Sequence, residues 1–347
     1  MSSQQFHCYA CYNQGENPKP WTYEPRPLGD DDVEIEISHC GICGTDIHNI
    51  DNDWGMSKFP LVPGHEIIGK VTAKGSKVSE LQIGDRVGVG YQASACFQPD
   101  CKACSSGIDS NCPRLIATSG GRYSDGAQSH GGWAKHVRVL SNYAFKIPDS
   151  LDSAEAAPLL CAGVTVFAPM RRHGVKAGDR VGVIGIGGLG HLAIQFANAL
   201  GAEVTAISTS MNKKEEAHKL GAKHFINIKD ENDLKKTQSS LDFILVTASV
   251  EDAPYDTYAS MLDVLGKMIL LGIPSDKVKI SPFALIAKNA TLTGSAIGSI
   301  DDQKAMLDFC TKHNVRTMIE KFPMSKIDEA IQRVRDGKVR YRVVLEN

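Results

Sequence analysis

The stretch CGICGTDIHNI, residues 40–50, gathers two thiols, a hydroxyl, a carboxylate and an imidazole, and GHEIIG, residues 64–69, adds a second imidazole. Cys43 and His65 are thiolate and imidazole donors on separate loops, the ligand types that zinc takes. A catalytic zinc binds three protein ligands and keeps a fourth position for water or substrate. Cys161, in LLCAGVT, is the one well-placed third donor. A zinc on Cys43, His65 and Cys161 is expected where two domains meet. Cys40 precedes a turn and reads as a small buried residue. The pair Cys40–Cys43 matches a redox C-x-x-C in spacing alone, because no βαβ helix opens there.

A second set of thiols lies in SACFQPDCKACSSGIDSNCP: Cys96, Cys101, Cys104 and Cys112. Four cysteines in one segment fit a tetrahedral, all-thiolate structural zinc. Pro99, Gly107 and Pro113 leave the segment little regular structure, so a metal would supply stability that apolar burial cannot. Free or disulfide-bonded thiols are the alternative.

Further along, Gly185-Ile186-Gly187-Gly188-Leu189-Gly190 matches G-x-G-x-x-G between an apolar strand and an amphipathic helix. Missing side chains let the backbone approach a pyrophosphate at the helix N-terminus. An NAD site carries an acid about 20 residues on, at the end of the next strand, for the ribose 2′-hydroxyl. Here that strand ends in Ser208-Thr209-Ser210, followed by Lys213 and Lys214. Hydroxyls and a lysine suit a 2′-phosphate, so NADP(H) is predicted over NAD(H). Lys214 reads as a solvated residue at a helix start.

The elements that must position these groups fall into two kinds. The first half is rich in short strands; DVEIEISHCG alternates apolar Val33, Ile35 and Ile37 with polar residues, as a half-buried strand does. Segment 154–174 reads as helical. From there GDRVGVIGIGGLGHLAIQFANALGAEVTAIS forms a βαβ unit, and HFINI, LDFILVTA, GKMILLGIP and ATLTGSAIG read as further strands. Strands apolar throughout imply a parallel sheet covered on both faces. Two helices and a closing strand, RYRVVLEN, end the chain.

Bulk properties bound the function. The 347 residues allow about two domains on the usual prior of roughly 150 residues each. A net charge of −2 gives no electrostatic reason to expect nucleic acid or an anionic membrane as partner. No apolar run approaches the ~20 residues that span a bilayer. The polar start MSSQQFHCYACYNQ has no apolar signal core, which predicts a cytoplasmic protein. Ten cysteines then point to metal thiolates before disulfides.

Together these residues resemble the zinc-containing medium-chain alcohol dehydrogenases. The signature G-H-E-x₂-G-x₅-G-x₂-V is met by Gly64, His65, Glu66, Gly69, Gly75 and Val78. MSKFPLVPGHE, PLLCAGVT, GIGGLGHLAI, GSAIGS and KVRYRVVL are similar to the cinnamyl alcohol dehydrogenases and the broad-range aldehyde reductases within that family. The resemblance implies an α/β fold: a β-rich GroES-like catalytic domain, residues 1–156 and 298–347, around a Rossmann cofactor domain, residues 157–297. It implies two zincs per chain, one catalytic on Cys43, His65 and Cys161 and one structural on Cys96, Cys101, Cys104 and Cys112. Glu66 is implied to lie next to the catalytic metal, and Asp46 to bond the far nitrogen of His65. Thr45 is expected to hold the substrate oxygen, His48 to complete a proton path, and Thr165 to touch the nicotinamide.

Trp54 is a candidate for lining an apolar substrate pocket, with core packing as its alternative; Trp133 and Ile297 are weaker candidates. The family pattern C-x₂-C-x₂-C-x₇-C is departed from once: the first gap holds four residues, FQPD, and a bulge at Pro99 is expected to keep Cys96 a ligand. A homodimer is implied, with VKISPFALIAKNATLTGS at its edge. The expected activity is NADP(H)-linked interconversion of aldehydes and primary alcohols. The rival readings are an NAD-dependent polyol or sugar dehydrogenase of the same superfamily and a non-catalytic zinc-binding module. The absent acid after Ile207 and the four-cysteine segment count against the first. Near-neutral charge counts against a nucleic-acid role for the second.

Overall fold

The computed structural model describes residues 4–274 and 277–347. The chain divides into two compact units. One holds residues up to Cys161 with Gly298–Lys312 and Arg316–Asn347; the other holds Ala162–Ile297 and His313–Val315.

The first unit is built on a seven-stranded sheet. Its spine is the long strand Asp32–Ile42, whose Val33, Ile35 and Ile37 are buried. Ile67–Lys74 and His136–Leu140 pair antiparallel with the spine, and Arg86–Val89 extends the sheet beyond Ile67–Lys74. The C-terminal strand Arg342–Glu346 also pairs antiparallel with the spine, with Val343 opposite Ile42 and Val344 opposite Gly41. This pairing returns the last residues of the chain to the segment that carries Cys43. Beneath the sheet, Ile67, Val71, Val87, Val89, Val137, Val139, Val343 and Leu345 form one apolar core.

The second unit has a six-stranded, all-parallel sheet in the order His224–Asn227, Glu203–Ser208, Arg180–Ile184, Leu241–Val246, Leu262–Leu270, Thr291–Gly294. Numbered along the chain within this unit, the order is 3-2-1-4-5-6, the doubly wound arrangement of dinucleotide-binding folds. The central strands are buried on both faces, as their unbroken apolar runs require.

The first unit runs through Cys161, five residues past the division expected between 156 and 157. The turn Ala157–Leu160 belongs to the first unit because the Leu160 side chain fills the space above Gly88, where a Cβ would lie 2.4 Å from it. Segment 154–174, expected as helical, is helical in three pieces: Ser153–Ala156, the 3-10 turn Ala157–Leu160 and the helix Ala162–His173. Cys161 sits at the break with φ −122° and ψ −71°, outside helical geometry. Pro158 contributes no backbone N–H to carry an α-helix through this region.

Candidate active site

Cys43 ends the extended approach to the helix Gly44–Asp51 and is its N-cap. Asp46, one turn in, is fully buried and makes three bonds. Its Oδ2 accepts from the Cys43 backbone N–H at 2.9 Å, closing a capping box. Its Oδ1 accepts from the Gly64 N–H at 2.9 Å and from His65 Nδ1 at 3.0 Å. A carboxylate only accepts, so Nδ1 carries a proton and Nε2 is the nitrogen left for another partner. His65 Nε2 is buried with no hydrogen-bond partner. A buried polar atom is costly unless an ion or a water satisfies it.

Donor atoms of Cys43, His65, Glu66 and Cys161 all lie within 4.8 Å of one another, and the two sulfurs are 3.9 Å apart. Zn–S bonds of about 2.3 Å in a tetrahedron put sulfurs about 3.8 Å apart. The donor set and its spacing therefore fit a zinc ion.

Electrostatics at this point are strong. The bond from the Cys161 thiol holds Cys43 well below the ordinary thiol range against the effect of burial, and Arg342 and His65 help. The same bond, with burial, holds Cys161 above it. Burial alone would lower His65, but Asp46 and Cys43 together hold it well above the usual imidazole range. Burial pushes Glu66 up to about 7 while Arg342 pulls against it. Glu66 and Arg342 form a buried ion pair, Arg342 Nη2 to Glu66 Oε1. The sequence reading missed Arg342; its signal was a cation placed directly before the apolar run Val343-Val344-Leu345. Gly41 is required here by space, since a Cβ would lie 1.9 Å from Glu66 Oε2.

Thr45 is half-buried in the first turn of the Gly44–Asp51 helix. His48, one turn further, is partly exposed, and its Nδ1 bonds Asp53 Oδ2 at 2.7 Å. Asp53 was also missed. Trp54 is half-buried and lies against the His48 ring, centroids 5.0 Å apart. Tyr91, not anticipated, sets its ring edge-to-face against His65 at 5.4 Å. Trp133 is fully buried in the core, which removes it as a pocket-lining candidate. Cys40 is buried in the same core.

The four-cysteine segment closes on itself. Sulfur separations are 3.7 Å for Cys96–Cys104, 3.4 Å for Cys96–Cys112 and 3.9 Å for Cys101–Cys112. These bracket the roughly 3.8 Å edge of a tetrahedral zinc thiolate. The longer first gap is absorbed by Phe97, in left-handed conformation at φ 49°, and by a turn in which Cys101 N–H donates to Gln98 O. Backbone donation from Gln98 draws the Cys96 thiol down to about 6, a thiolate ready for metal.

In the second unit the glycine turn follows the strand Arg180–Ile184 and leads into the helix Gly190–Ala199, with Leu189 as N-cap. Gly185 takes φ 88°, and at Gly190 a Cβ would lie 1.9 Å from Gly185 O. Space beside Gly187 is open. Gly188 is half-buried in the same turn. Thr247 Oγ1 bonds Ile184 O at 2.9 Å and Gly185 O at 3.0 Å, tying the turn to the neighbouring strand end. Ser208 is half-buried at the end of Glu203–Ser208, and Thr209 and Ser210 are exposed. Lys213 is half-buried and its Nζ donates to Ile186 O inside the glycine turn, whereas Lys214 is exposed. Thr165 is buried in the helix Ala162–His173.

Comparison with known proteins agrees with this geometry. Residues 29–149 match the alcohol dehydrogenase GroES-like domain, and residues 188–312 match the zinc-binding dehydrogenase family. Cinnamyl alcohol dehydrogenase 7 of Arabidopsis thaliana is 40% identical over 329 residues, covering 94% of this chain and 91% of that protein. A cinnamyl alcohol dehydrogenase structure from Sorghum bicolor superposes with a TM-score of 0.95 at 38% identity, covering 99% of this chain and 98% of the other. The Helicobacter pylori cinnamyl alcohol dehydrogenase, solved with NADP(H), gives 0.91 at 33% identity over 99% and 98% of the two chains. Site geometry, fold and similarity lead to one statement: the chain belongs to the zinc-containing medium-chain alcohol dehydrogenases and is an oxidoreductase of their cinnamyl alcohol dehydrogenase-like branch.

Proposed function

We propose that this protein is a zinc-dependent, NADP(H)-linked alcohol dehydrogenase and aldehyde reductase that interconverts aromatic, cinnamyl-type, or medium-chain aldehydes and primary alcohols. The observation that carries the proposal is the unpartnered His65 Nε2, buried beside the Cys43 and Cys161 sulfurs. When bound, zinc supplies a Lewis acid for the substrate oxygen and NADPH supplies the hydride. Cys43, His65 and Cys161 would hold this metal, and Cys96, Cys101, Cys104 and Cys112 would hold a second, structural zinc. Asp46 fixes the His65 tautomer through its 3.0 Å bond. Thr45 donates to the oxygen on which negative charge develops. His48, oriented by Asp53, moves the proton between that oxygen and solvent. Glu66, held by Arg342, would lie beside the metal. Trp54 lines the apolar side of the substrate site next to His48, and Thr165 meets the nicotinamide.

Cofactor choice follows from charge. Gly185, Gly187, Gly188, Leu189 and Gly190 take the pyrophosphate, and Ser208, Thr209, Ser210 and Lys213 take the ribose 2′-phosphate. Lys213→Ala is expected to lower kcat/KM with NADPH at least ten-fold and with NADH about two-fold. Steady-state rates with both cofactors and a panel of aromatic and aliphatic aldehydes test cofactor and substrate together. Equal losses would remove Lys213 from the phosphate site, and a preference for NADH would favour the polyol or sugar dehydrogenase reading.

We place the protein in the cytoplasm as a homodimer with a small-molecule aldehyde or alcohol as its substrate. Support for the dimer is the exposed apolar set Val264, Leu265, Phe283 and Ile286, in the unit whose sheet ends at the strand Thr291–Gly294. Leu265 N–H donates to Lys288 O at 2.8 Å, which brings the two segments together, and contiguous exposed apolar surface marks an interaction site. Phe283→Asp is expected to shift the sedimenting species from dimer to monomer; an unchanged mass would remove this face from the interface.

A further inference from the structure

Cys161 differs from the other two donors in its support. Cys43 and His65 are tied together by Asp46, but Cys161 stands at a break between a 3-10 turn and a helix, with φ −122° and ψ −71°. Its own N–H donates to Pro158 O at 3.3 Å, a long and weak restraint. Besides the packing of Leu160 over Gly88, the turn has a polar restraint from the far end of the chain. Gln303 is buried, and its Nε2 donates to the carbonyl of Leu160, the residue before Cys161, at 2.6 Å. This is a carbonyl at a helix break, which must find a partner from outside.

The donor is itself held rigidly. Gln303 lies one turn into the helix Ile300–His313, and its own N–H donates to Ser299 O at 2.9 Å. Ser299 and Asp302 close a reciprocal capping box at the start of that helix: Ser299 N–H donates to Asp302 Oδ2, and Asp302 N–H donates to Ser299 Oγ, both at 3.2 Å. Asp109, three residues before Cys112, accepts the next N–H, from Ile300, at 3.2 Å, while its other oxygen accepts from Tyr143 Oη at 3.0 Å. The bond to Leu160 runs through a slot that only glycine leaves open. At Gly90 a Cβ would lie 2.6 Å from Leu160 O and 3.0 Å from Gln303 Nε2. The opposite amide atom, Gln303 Oε1, is buried without a partner. The side chain is therefore placed for donation, at a cost in desolvation of its acceptor.

We propose that Gln303 is a positioning residue for the third metal ligand: its amide fixes the Leu160 carbonyl and thereby aims the Cys161 sulfur at the metal. The inference rests on the three-ligand reading given above. Loss of an outer-shell partner costs about 10–100-fold in metal affinity or activity, and Gln303 stands one peptide further out than such a partner usually does. The lower end, about ten-fold, is expected here.

The test is site-resolved metal release from the zinc-loaded enzyme to a chromogenic chelator, with Cys43→Ser used to identify the phase that belongs to the three-ligand site. Gln303→Met, similar in length and without a donor, is expected to speed that phase about ten-fold and to leave the four-cysteine phase unchanged. Gln303→Glu keeps the shape but turns an acceptor toward the Leu160 carbonyl, and should act in the same direction if the methionine variant does not fold. Retention of the wild-type rate in a folded variant overturns the inference. Equal acceleration of both phases with a lowered melting temperature also overturns it, because that is the mark of general destabilisation. A wild-type enzyme with no phase removed by Cys43→Ser refutes the three-ligand reading itself, which is a different result.

Discussion

Replacing Cys43 by serine will leave a folded protein with one zinc fewer per chain and a kcat lowered by about a thousand-fold or more. The magnitude follows from the metal's role. Lewis-acid stabilisation of the developing oxyanion is worth several kcal/mol, and about 4 kcal/mol corresponds to roughly a thousand-fold in rate. Folding should survive because Cys43 is the N-cap of a short helix whose box is closed from the other side by Asp46, and that bond goes to the Cys43 backbone. Serine at an N-cap is favourable in its own right. Metal analysis, far-UV circular dichroism and initial rates on the same preparation check the three parts. A variant that retains its turnover would mean that the metal, if bound, does not perform the chemistry.

The second large effect is on stability. Arg342 is buried against Glu66 and lies near the Cys43 and Cys161 sulfurs. Arg342→Leu takes from the buried Glu66 its main counter-charge, and breaking a buried pair from one side costs about 3–5 kcal/mol. Denaturant unfolding of the metal-free protein should register a loss in that range. Adding Glu66→Gln to Arg342→Leu should recover part of it, because no charge is then left uncompensated. A single-variant cost below about 1 kcal/mol would show that water reaches Glu66 and that the pair does not organise the site.

The metal-donor positions were legible because metal chemistry narrows the choice of residue: Cys43, His65 and Cys161 were picked by donor type, and the structure brings their ligand atoms together. The glycine turn was legible because the strand and helix around it are strongly apolar. Arg342 was not, because its neighbour Glu66 is reached only through the register of the C-terminal strand on Asp32–Ile42, a pairing that no local pattern encodes. Gln303 was hidden because its partner, the Leu160 carbonyl, lies 143 positions away in the sequence. The break at Cys161 escaped because the segment's composition favours helix throughout, and tertiary packing of Leu160 overrides it. At the four-cysteine segment the unusual spacing was visible, but its resolution depended on a left-handed Phe97, which composition does not announce.

Anomalous diffraction at the zinc edge from crystals of the metal-loaded enzyme tests the central claim most directly. The account predicts a peak bonded to the sulfurs of Cys43 and Cys161 at about 2.3 Å and to His65 Nε2 at about 2.0–2.1 Å, with no protein atom in the fourth position. A single peak on the four-cysteine cluster, with none within bonding reach of His65 Nε2, would contradict it.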